Sequence, residues 1–374
     1  MHDFFAVCPP GLRAGCLREL KALDIPVQDI QLLPGGVAFS CRLNHACLAN
    51  LWLRSPARIL MRIARFQADR FHILEKKLTA IDWELFLPAG TQPAIQVTTH
   101  TSRLYHSDAV AERCRPIIQA ALGTTSAQNQ RSPLQMIPQT VMVRAENDRF
   151  DISLDMSGIP LFKRGIKQQI TQAPLRENLA FAILDAAGFT PEDPLIDPMC
   201  GAGTFAIEGA MIQAHIPPGF FRGFAFETWP GFSPAAFAHA KSLAAKHFFP
   251  AGPVFASDTD PGAVAALTAN LARHPFLAPV QASRQNFFDL LPDRMTDKKG
   301  VVVLNPPYGR RLEPDQNTKN LYRQISRKLA ADFKGWRVGL VFPKKHMADL
   351  NHPGLAGFGF FHGGLDLAAG IGTI

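Results

Sequence analysis

Residues 195–204 read Leu195-Ile196-Asp197-Pro198-Met199-Cys200-Gly201-Ala202-Gly203-Thr204. The apolar start predicts a short buried strand, the two closely spaced glycines predict a tight turn, and residues 205–212 suit a helix. Such a turn brings backbone N–H groups close to a ligand, and the start of the helix favours a carboxylate or phosphate. The spacing matches neither the GxGxxG of dinucleotide folds nor a P-loop. This unit predicts an α/β fold with a ligand at the turn.

A second motif, Asn305-Pro306-Pro307-Tyr308, directly follows the apolar run Val301–Leu304. The run predicts a buried parallel strand, so the motif lies at its carboxyl end, where open α/β sheets bind ligands. The Asn305 oxygen and the Pro306 carbonyl can each accept a hydrogen from an exocyclic amine, and Tyr308 offers a ring for base stacking. Two prolines make the acceptor pair rigid. The alternative is a Pro-Pro turn that follows an Asn by chance.

A third motif ends in acids, since Val254-Phe255-Ala256-Ser257-Asp258-Thr259-Asp260 precedes a helical segment over residues 263–271. An acid at the tip of the second strand of a Rossmann-like unit accepts ribose hydroxyls, and Asp258 is the candidate. It lies farther from the glycine turn than the usual roughly 20 residues. This distance predicts an insertion, which the composition places around residues 217–231. The alternative role for Asp258 is to cap the following helix.

In this order the motifs resemble those of class I S-adenosylmethionine-dependent methyltransferases that act on amide or exocyclic nitrogens. Residues 158–165 (Gly-Ile-Pro-Leu-Phe-Lys-Arg-Gly), 173–180 (Ala-Pro-Leu-Arg-Glu-Asn-Leu-Ala) and 222–229 (Arg-Gly-Phe-Ala-Phe-Glu-Thr-Trp) make the resemblance closer. Together they resemble the THUMP-containing guanine-N2 methyltransferases of bacterial 23S rRNA, over about residues 155–345. Residues 102–110 (Ser-Arg-Leu-Tyr-His-Ser-Asp-Ala-Val) resemble the most recognisable segment of the THUMP module.

The resemblance implies an α/β fold: a Rossmann-like class I methyltransferase domain with a mostly parallel doubly wound sheet, preceded by an α+β N-terminal region that contains the THUMP module. The expected domains are a small ferredoxin-like unit over residues 1–55, the THUMP RNA-binding module over 56–155 and the methyltransferase domain over 156–374. Arg54, Arg58, Arg62 and Arg65 would line one face of a helix, but residues 58–66 also alternate like a strand, and the family resemblance favours the strand.

The implied reaction transfers a methyl group from S-adenosylmethionine to the exocyclic N2 amine of a guanine in 23S rRNA. The expected catalytic residues are Asn305, Pro306, Pro307 and Tyr308. The expected cofactor-binding residues are Asp197, Pro198, Met199, Cys200, Gly201, Ala202, Gly203, Thr204, Asp258, Thr259, Asn286 and Phe287.

Two of these residues differ from the family pattern, and a third is a cysteine in the turn. Ala202 stands where relatives commonly have Ser, a tolerable change because backbone groups do most of the binding. Asn286 stands where relatives usually carry the Asp that receives the adenine amine, and an Asn oxygen can still accept that hydrogen bond. Cys200 is interpreted as a small packing residue rather than a nucleophile.

The formal net charge of +8 is concentrated in the front half. Up to residue 170 there are 20 Lys and Arg against 14 Asp and Glu, and the remainder has 19 against 17. A modest positive field favours phosphate backbones and makes binding salt-dependent. The residues expected to contact RNA are Arg103, Arg113, Arg115, Lys163, Arg164, Arg310 and Arg311.

Composition and cysteine spacing indicate where the protein is expected to work and whether a membrane or a metal is expected. No uninterrupted apolar stretch approaches the roughly 20 residues that span a bilayer, and no signal segment follows Met1. The six cysteines show neither CxxC pairing nor zinc-ligand spacing, which predicts reduced thiols and no metal. The expected location is the cytoplasm, no membrane contact is expected, and no protein partner is indicated.

Several functions stay open. A tRNA guanine-N2 methyltransferase, an adenine-N6 nucleic-acid methyltransferase and a protein-glutamine methyltransferase would share the Asn-Pro-Pro-Tyr chemistry, so only the resemblance selects guanine N2. A non-catalytic RNA-binding assembly factor would need a degenerate cofactor site, yet Asp197, Gly201, Gly203 and Asp258 are all present. An oxidoreductase is the weakest alternative, because no nicotinamide fingerprint occurs.

Overall fold

The computed structural model describes residues 1–123, 137–167, 174–307, 315–350 and 355–374. Contacts between these residues divide the chain into two compact units. The first comprises Met1–Cys8, Cys16–Leu161 and Phe221–Ser242, and the second comprises Pro9–Gly15, Phe162–Phe220 and Leu243–Ile374.

The first half of the chain builds an α+β layer. Its elements are β1 (His2–Val7), α1 (Arg13–Ala22), β2 (Gln28–Leu33), β3 (Gly36–Cys41), α2 (Leu43–Trp52), β4 (Arg58–Gln67), α3 (Phe71–Thr79), β5 (Ala94–His100), α4 (Ser107–Leu122), β6 (Thr140–Glu146) and β7 (Arg149–Asp155). The strands form one sheet in the order β2-β3-β1-β4-β7-β6-β5, with antiparallel pairs except for β5 and β6. The alternation over residues 58–66 is strand β4, as predicted, because Ile59 and Met61 point into the core.

Strand β1 pairs with β4, so the segment predicted as a small N-terminal unit shares its sheet with the segment predicted as the THUMP module. Pairing of β1 with β4 is favoured because an unpaired strand edge would leave backbone N–H and C=O groups without partners. The domain boundary near residue 55 therefore stays a prediction.

The second half of the chain alternates strands and helices. Its elements are α5 (Glu177–Ala186), β8 (Leu195–Asp197), α6 (Thr204–Gln213), α7 (Pro234–Lys246), β9 (Val254–Asp258), α8 (Pro261–Leu271), β10 (Val280–Arg284), β11 (Val301–Leu304), α9 (Asp315–Asp332), β12 (Arg337–Pro343), β13 (Ala356–His362) and β14 (Leu365–Thr373). The sheet order is β10-β9-β8-β11-β12-β14-β13, parallel from β10 to β12, and β14 pairs antiparallel with both β12 and β13. The predicted fold class is confirmed.

The strand order reverses between β8 and β11, and this reversal positions the ligand site. In chain order β9 and β10 lie on one side of β8, whereas β11 and β12 lie on the other. The chain leaves two such neighbouring strands toward opposite sides, and this opens a crevice at the carboxyl ends of the strands. All four residues of β11 are fully buried, as expected for a central parallel strand, so the chain emerges at Asn305 directly beside this crevice.

The predicted insertion is present between α6 and β9. Its residues Phe221–Ser242 belong to the first unit, although the sequence boundaries assign them to the methyltransferase domain. The Arg222 guanidinium donates to the carbonyls of Pro160, at 2.6 Å, and Ser157, at 2.9 Å. Phe224 stacks on Phe226 with 5.0 Å between ring centroids. The hydrogen bonds from Arg222 attach the insertion to the end of the front half.

Among the helices that the structure describes, none combines the length and the apolar character needed to cross a membrane.

Candidate functional site

A cavity of about 630 Å³ opens at the carboxyl ends of β8, β9 and β11. Its volume lies in the roughly 300–1,000 Å³ range of small-molecule sites. The residues in its wall that the sequence predicted are Pro198, Met199, Cys200, Gly201, Ala202, Thr204, Asp258, Thr259, Asn286, Phe287, Asn305 and Pro307. The fold thus brings together three motifs, of which the first and the last lie more than a hundred residues apart along the chain.

Other wall residues were missed by the sequence reasoning: Pro174, Leu175, Phe205, Asp260, Ala263, Phe288 and Leu321. Pro174 and Leu175 lie in the segment 173–180 that carried part of the family resemblance, so a signal for them existed. Leu321 is an apolar residue of α9 that nothing in the local sequence distinguishes from a core position.

Asp258 ends β9 and holds the glycine-rich turn. Its Oδ2 accepts the Gly201 N–H at 2.9 Å, and its Oδ1 accepts the Asp260 N–H at 3.0 Å. Each carboxylate oxygen keeps a second lone pair that can accept a hydroxyl. The cap of α8 is Asp260, whose Oδ1 accepts the Gly262 N–H at 2.8 Å. The alternative of Asp258 as that cap is therefore wrong, and a ribose contact stays a prediction.

Two predicted cofactor residues lie behind the turn and shape it. Asp197 is 0% exposed, and its Oδ2 accepts the Ala206 N–H in the first turn of α6 at 3.2 Å. Gly203 has a φ of 81°, and a Cβ there would lie 2.4 Å from the Leu267 side chain. Only glycine combines that φ with such close packing. These residues support the site from below its surface.

We expect Asp197→Asn to change how stability depends on pH. Burial raises the pKa of Asp197 from 3.8 to about 8. The folded state therefore retains a proton that the unfolded chain releases above about pH 4. This stabilising contribution is complete below the unfolded pKa and is lost as pH rises through the folded pKa.

Asparagine keeps an acceptor for the Ala206 N–H and does not ionise. Relative to Asp197→Asn, the wild type should lose at most about 1.4 kcal/mol for each pH unit between about pH 5 and about pH 7. Urea titrations at several pH values measure the free energy of unfolding. Parallel pH profiles for the two proteins would show that Asp197 is ionised in the folded state.

Asn305 presents a buried acceptor at the end of β11. Its Oδ1 has no hydrogen-bond partner within the described residues, although Asn305 contributes to the cavity wall. A buried amide oxygen without a partner costs free energy, so it points to a ligand that supplies the missing donor. Pro306 is buried and Pro307 is exposed at the cavity. Tyr308 falls outside the described residues.

Asn286 lies where the adenine contact is expected. Its Oδ1 accepts the Phe288 N–H at 3.1 Å and begins a short 3₁₀ turn. The oxygen has a second lone pair, and the side-chain NH₂ remains a donor. Phe287 borders the same wall and is nearly fully buried in the core. An apolar wall beside an amide suits a planar nitrogen heterocycle.

Cys200 has the properties of a packing residue. Its side chain is buried, and burial raises the pKa of the thiol far above its usual range. A thiol that keeps its proton is a poor nucleophile. The interpretation of Cys200 as a structural residue in the turn agrees with this environment.

Four of the residues predicted to contact RNA lie on the surface: Arg103, Arg113, Arg115 and Lys163. Arg103 is 71% exposed and its guanidinium lies 2.6 Å from Asp69. Arg113 lies 3.0 Å from Glu75. Exposed ion pairs of this kind contribute little to stability, so a phosphate can compete for the guanidinium groups.

Arg164 does not fit the predicted RNA role. Its guanidinium is 2% exposed and lies 3.1 Å from the fully buried carboxylate of Glu208 on α6. Burial of the arginine leaves no face for a phosphate, and the prediction is wrong for this residue. Arg310 and Arg311 lie beyond the described residues.

Comparison with known families matches two separate segments of the chain. The profile described as "RMKL-like, methyltransferase domain" matches residues 164–352. The profile described as "RlmL ferredoxin-like domain" matches residues 3–60.

Individual relatives extend this similarity over most of the chain. A Synechocystis protein, provisionally named as an RNA methyltransferase, is 31% identical over 345 residues, which cover 90% of this chain and 87% of the relative. The ribosomal RNA large subunit methyltransferase K/L of Methylococcus capsulatus is 31% identical over 350 residues, which cover 91% of this chain and 47% of the relative. This chain thus spans about half the length of that relative.

A solved structure shares the whole architecture. SMU.472, described as a candidate methyltransferase complexed with SAH, superposes with a TM-score of 0.84 at 26% identity. The alignment covers 100% of this chain and 98% of the other.

Proposed function

This chain belongs to the RMKL-like methyltransferase family, and from that premise we propose that it transfers a methyl group from S-adenosylmethionine to the exocyclic N2 amine of a guanine in 23S rRNA. The main support for this reaction is Asn305 Oδ1, a buried oxygen of a residue in the cavity wall. It has no hydrogen-bond partner among the described residues. The large-subunit substrate is supported by the name of the Methylococcus relative, and the N2 position by the resemblance of the linked motifs.

The wall of the cavity fits the proposed cofactor. Asp258 has lone pairs for two ribose hydroxyls, and the turn over residues 198–204 offers backbone groups at the start of α6. Asn286 and Phe287 suit the adenine. When bound, S-adenosylmethionine supplies a methyl group that its sulfonium makes strongly electrophilic.

The task left to the protein is to orient a weak nucleophile. The nitrogen lone pair of an aromatic amine is delocalised into the ring, and acceptors for both amine hydrogens favour a pyramidal nitrogen. In this proposal Asn305 Oδ1 and the Pro306 carbonyl are those acceptors. They aim the lone pair at the methyl carbon and stabilise the positive charge that develops on nitrogen. The methylated nitrogen then loses a proton to water, which Asn305 can help to orient.

The base must leave its helix, or be unpaired already, to reach this cavity. Stacking on Tyr308 is part of the proposal, although this residue falls outside the described part of the chain. Arg103, Arg113, Arg115 and Lys163 are the proposed contacts to the RNA backbone, with residues 56–155 as a THUMP module. The three-domain division at residues 55 and 155 belongs to the same proposal.

The proposed location is the cytoplasm. All six cysteines are free and buried, which is the usual state in a reducing compartment. The proposed reaction requires no metal ion.

The test uses RNA from a strain that lacks the gene. Ribosomal and transfer RNA are digested separately, and N2-methylguanosine and N6-methyladenosine are quantified by mass spectrometry. We expect one N2-methylguanosine to disappear from 23S rRNA, to return with the wild-type gene and to stay absent with Asn305→Ala.

The same measurement separates the alternatives. A methyl group missing only from tRNA would replace the ribosomal substrate and keep the reaction. Loss of N6-methyladenosine would replace the target base. Unchanged methylation together with a defect in ribosome assembly would support a non-catalytic RNA-binding factor.

A further inference from the structure

Lys167 contacts Thr204 of the cavity wall, and the proposed reaction gives Lys167 no role. Its side chain is 6% exposed, and its Nζ lies 2.7 Å from Glu177 Oε1. The same Nζ donates to Thr204 Oγ1 at 2.9 Å. Glu177 begins α5 and Thr204 begins α6, so one buried ammonium connects the first residues of two helices.

The bond from Lys167 determines what Thr204 can do. An ammonium group only donates, so Thr204 Oγ1 uses a lone pair for Lys167 and its own hydrogen stays available for another acceptor. Thr204 is part of the cavity wall. Its hydroxyl therefore presents a donor to whatever occupies the cavity beside it.

The start of α6 adds to this preference. The first N–H groups of a helix have no intrahelical partner and carry a positive partial charge. The Ala206 N–H is used by Asp197, so the groups nearer the start of the helix remain for a ligand. Glu177 balances the charge of Lys167, so the hydroxyl donor of Thr204 and the start of α6 are what favour an anion at this part of the wall.

The other charges around the cavity also favour a ligand carboxylate near Thr204. Asp258 and Asp260 line another part of the cavity and would repel a carboxylate. Burial raises the pKa of Asp197 to about 8, so near neutral pH its carboxyl group is mostly protonated and adds little negative charge beneath α6. The neutral ribose hydroxyls suit Asp258, and a ligand carboxylate suits Thr204.

The geometry points to Lys167 as a positioning residue that directs the Thr204 hydroxyl toward the carboxylate of the cofactor's amino-acid group, an inference that rests on the proposed cofactor. Lys167 acts through Thr204. Because the Thr204 hydroxyl would bind the carboxylate at one end of the cofactor, this contact fixes which way the cofactor lies in the cavity. The role is distinct from a purely structural pairing with Glu177, which would leave ligand preference unchanged.

The experiment compares two ligands that differ only in the carboxylate. Calorimetry measures the binding of S-adenosylmethionine and of decarboxylated S-adenosylmethionine to the full chain. We expect the wild type to bind the first about 10-fold to 100-fold more tightly, the usual value of a charged hydrogen bond. Lys167→Met should remove most of this preference by weakening only the binding of S-adenosylmethionine, and Lys167→Arg should retain it.

Two further variants guard the interpretation. Lys167→Met with Glu177→Gln removes the unpaired carboxylate that the single variant leaves, and it should lose the preference equally. Lys328→Met breaks a partly buried ion pair of the same length on α9, with Lys328 Nζ 2.7 Å from Asp332, and should keep the wild-type preference.

The outcomes distinguish this inference from the proposed function. A wild type that binds neither ligand would overturn the cofactor itself. If the wild type binds both ligands equally, or if Lys167→Met weakens both by the same factor, the cofactor stands and the role of Lys167 is wrong.

Discussion

Replacement of Asn305 by alanine is expected to lower the single-turnover rate of methyl transfer by about 10²-fold to 10³-fold, the usual effect of removing one group that stabilises developing charge. The buried Oδ1 has no hydrogen-bond partner within the described residues, so with respect to these residues it can still accept a hydrogen from a ligand. Its proposed partner is the target amine, and alanine provides no acceptor there. Rapid-quench measurement with radiolabelled S-adenosylmethionine gives the rate directly.

The matched control is Asn305→Asp. Aspartate retains an acceptor oxygen at the same position. We expect Asn305→Asp to keep a rate well above that of Asn305→Ala. Calorimetry should find S-adenosylmethionine affinity nearly unchanged in Asn305→Ala. An alanine variant with a rate near wild type would remove Asn305 from the chemistry, whereas lost cofactor affinity would make it a binding residue.

Replacement of Arg164 by leucine is expected to reduce the free energy of unfolding by about 3–5 kcal/mol, because it leaves the buried Glu208 carboxylate without its partner. The two side chains are 2% and 0% exposed, and two nitrogens of the guanidinium contact the two carboxylate oxygens at 3.2 and 3.1 Å. Urea unfolding followed by circular dichroism measures this loss. The folded fraction should bind RNA with unchanged affinity.

The double variant Arg164→Leu with Glu208→Leu tests the cause. With both charges removed, most of the lost stability should return, because no uncompensated buried charge remains. Arg103→Leu is the exposed counterpart: its ion pair with Asp69 is solvated, so stability should change by less than about 1 kcal/mol. In contrast to Arg164→Leu, it should weaken RNA binding. A double variant as unstable as Arg164→Leu alone would assign the loss to packing.

Local sequence was sufficient for the elements that build the site. An apolar run followed by glycines predicted β8, the turn and α6, and a buried run before Asn-Pro-Pro predicted β11 and the position of Asn305. These predictions succeed because a parallel strand is buried on both faces and a tight turn needs glycine. The carboxyl ends of such strands meet at one edge of the sheet, so motifs far apart in the chain could be assigned to one cavity.

Contacts between distant segments could not be read in this way. Arginine is usually a surface residue, so nothing in the sequence indicated that Arg164 is buried. Only the fold places Glu208, which is 44 residues away along the chain, in contact with it. The insertion was predicted from its length and composition, but its membership of the first unit depends on Arg222 reaching the carbonyls of Ser157 and Pro160. The sequence motifs assigned no role to Lys167.

The sequence by itself determined the fold class, the three strand ends that bear ligand-binding residues and the chemistry of the acceptor at Asn305, because burial period and turn geometry are local properties. Only the tertiary structure decided which charged side chains are buried, that Asp260 rather than Asp258 caps α8, and that Lys167 donates to Thr204. The free energy of a charge depends on its solvent exposure and on its nearest partner in space, and neither is encoded by its neighbours in the chain.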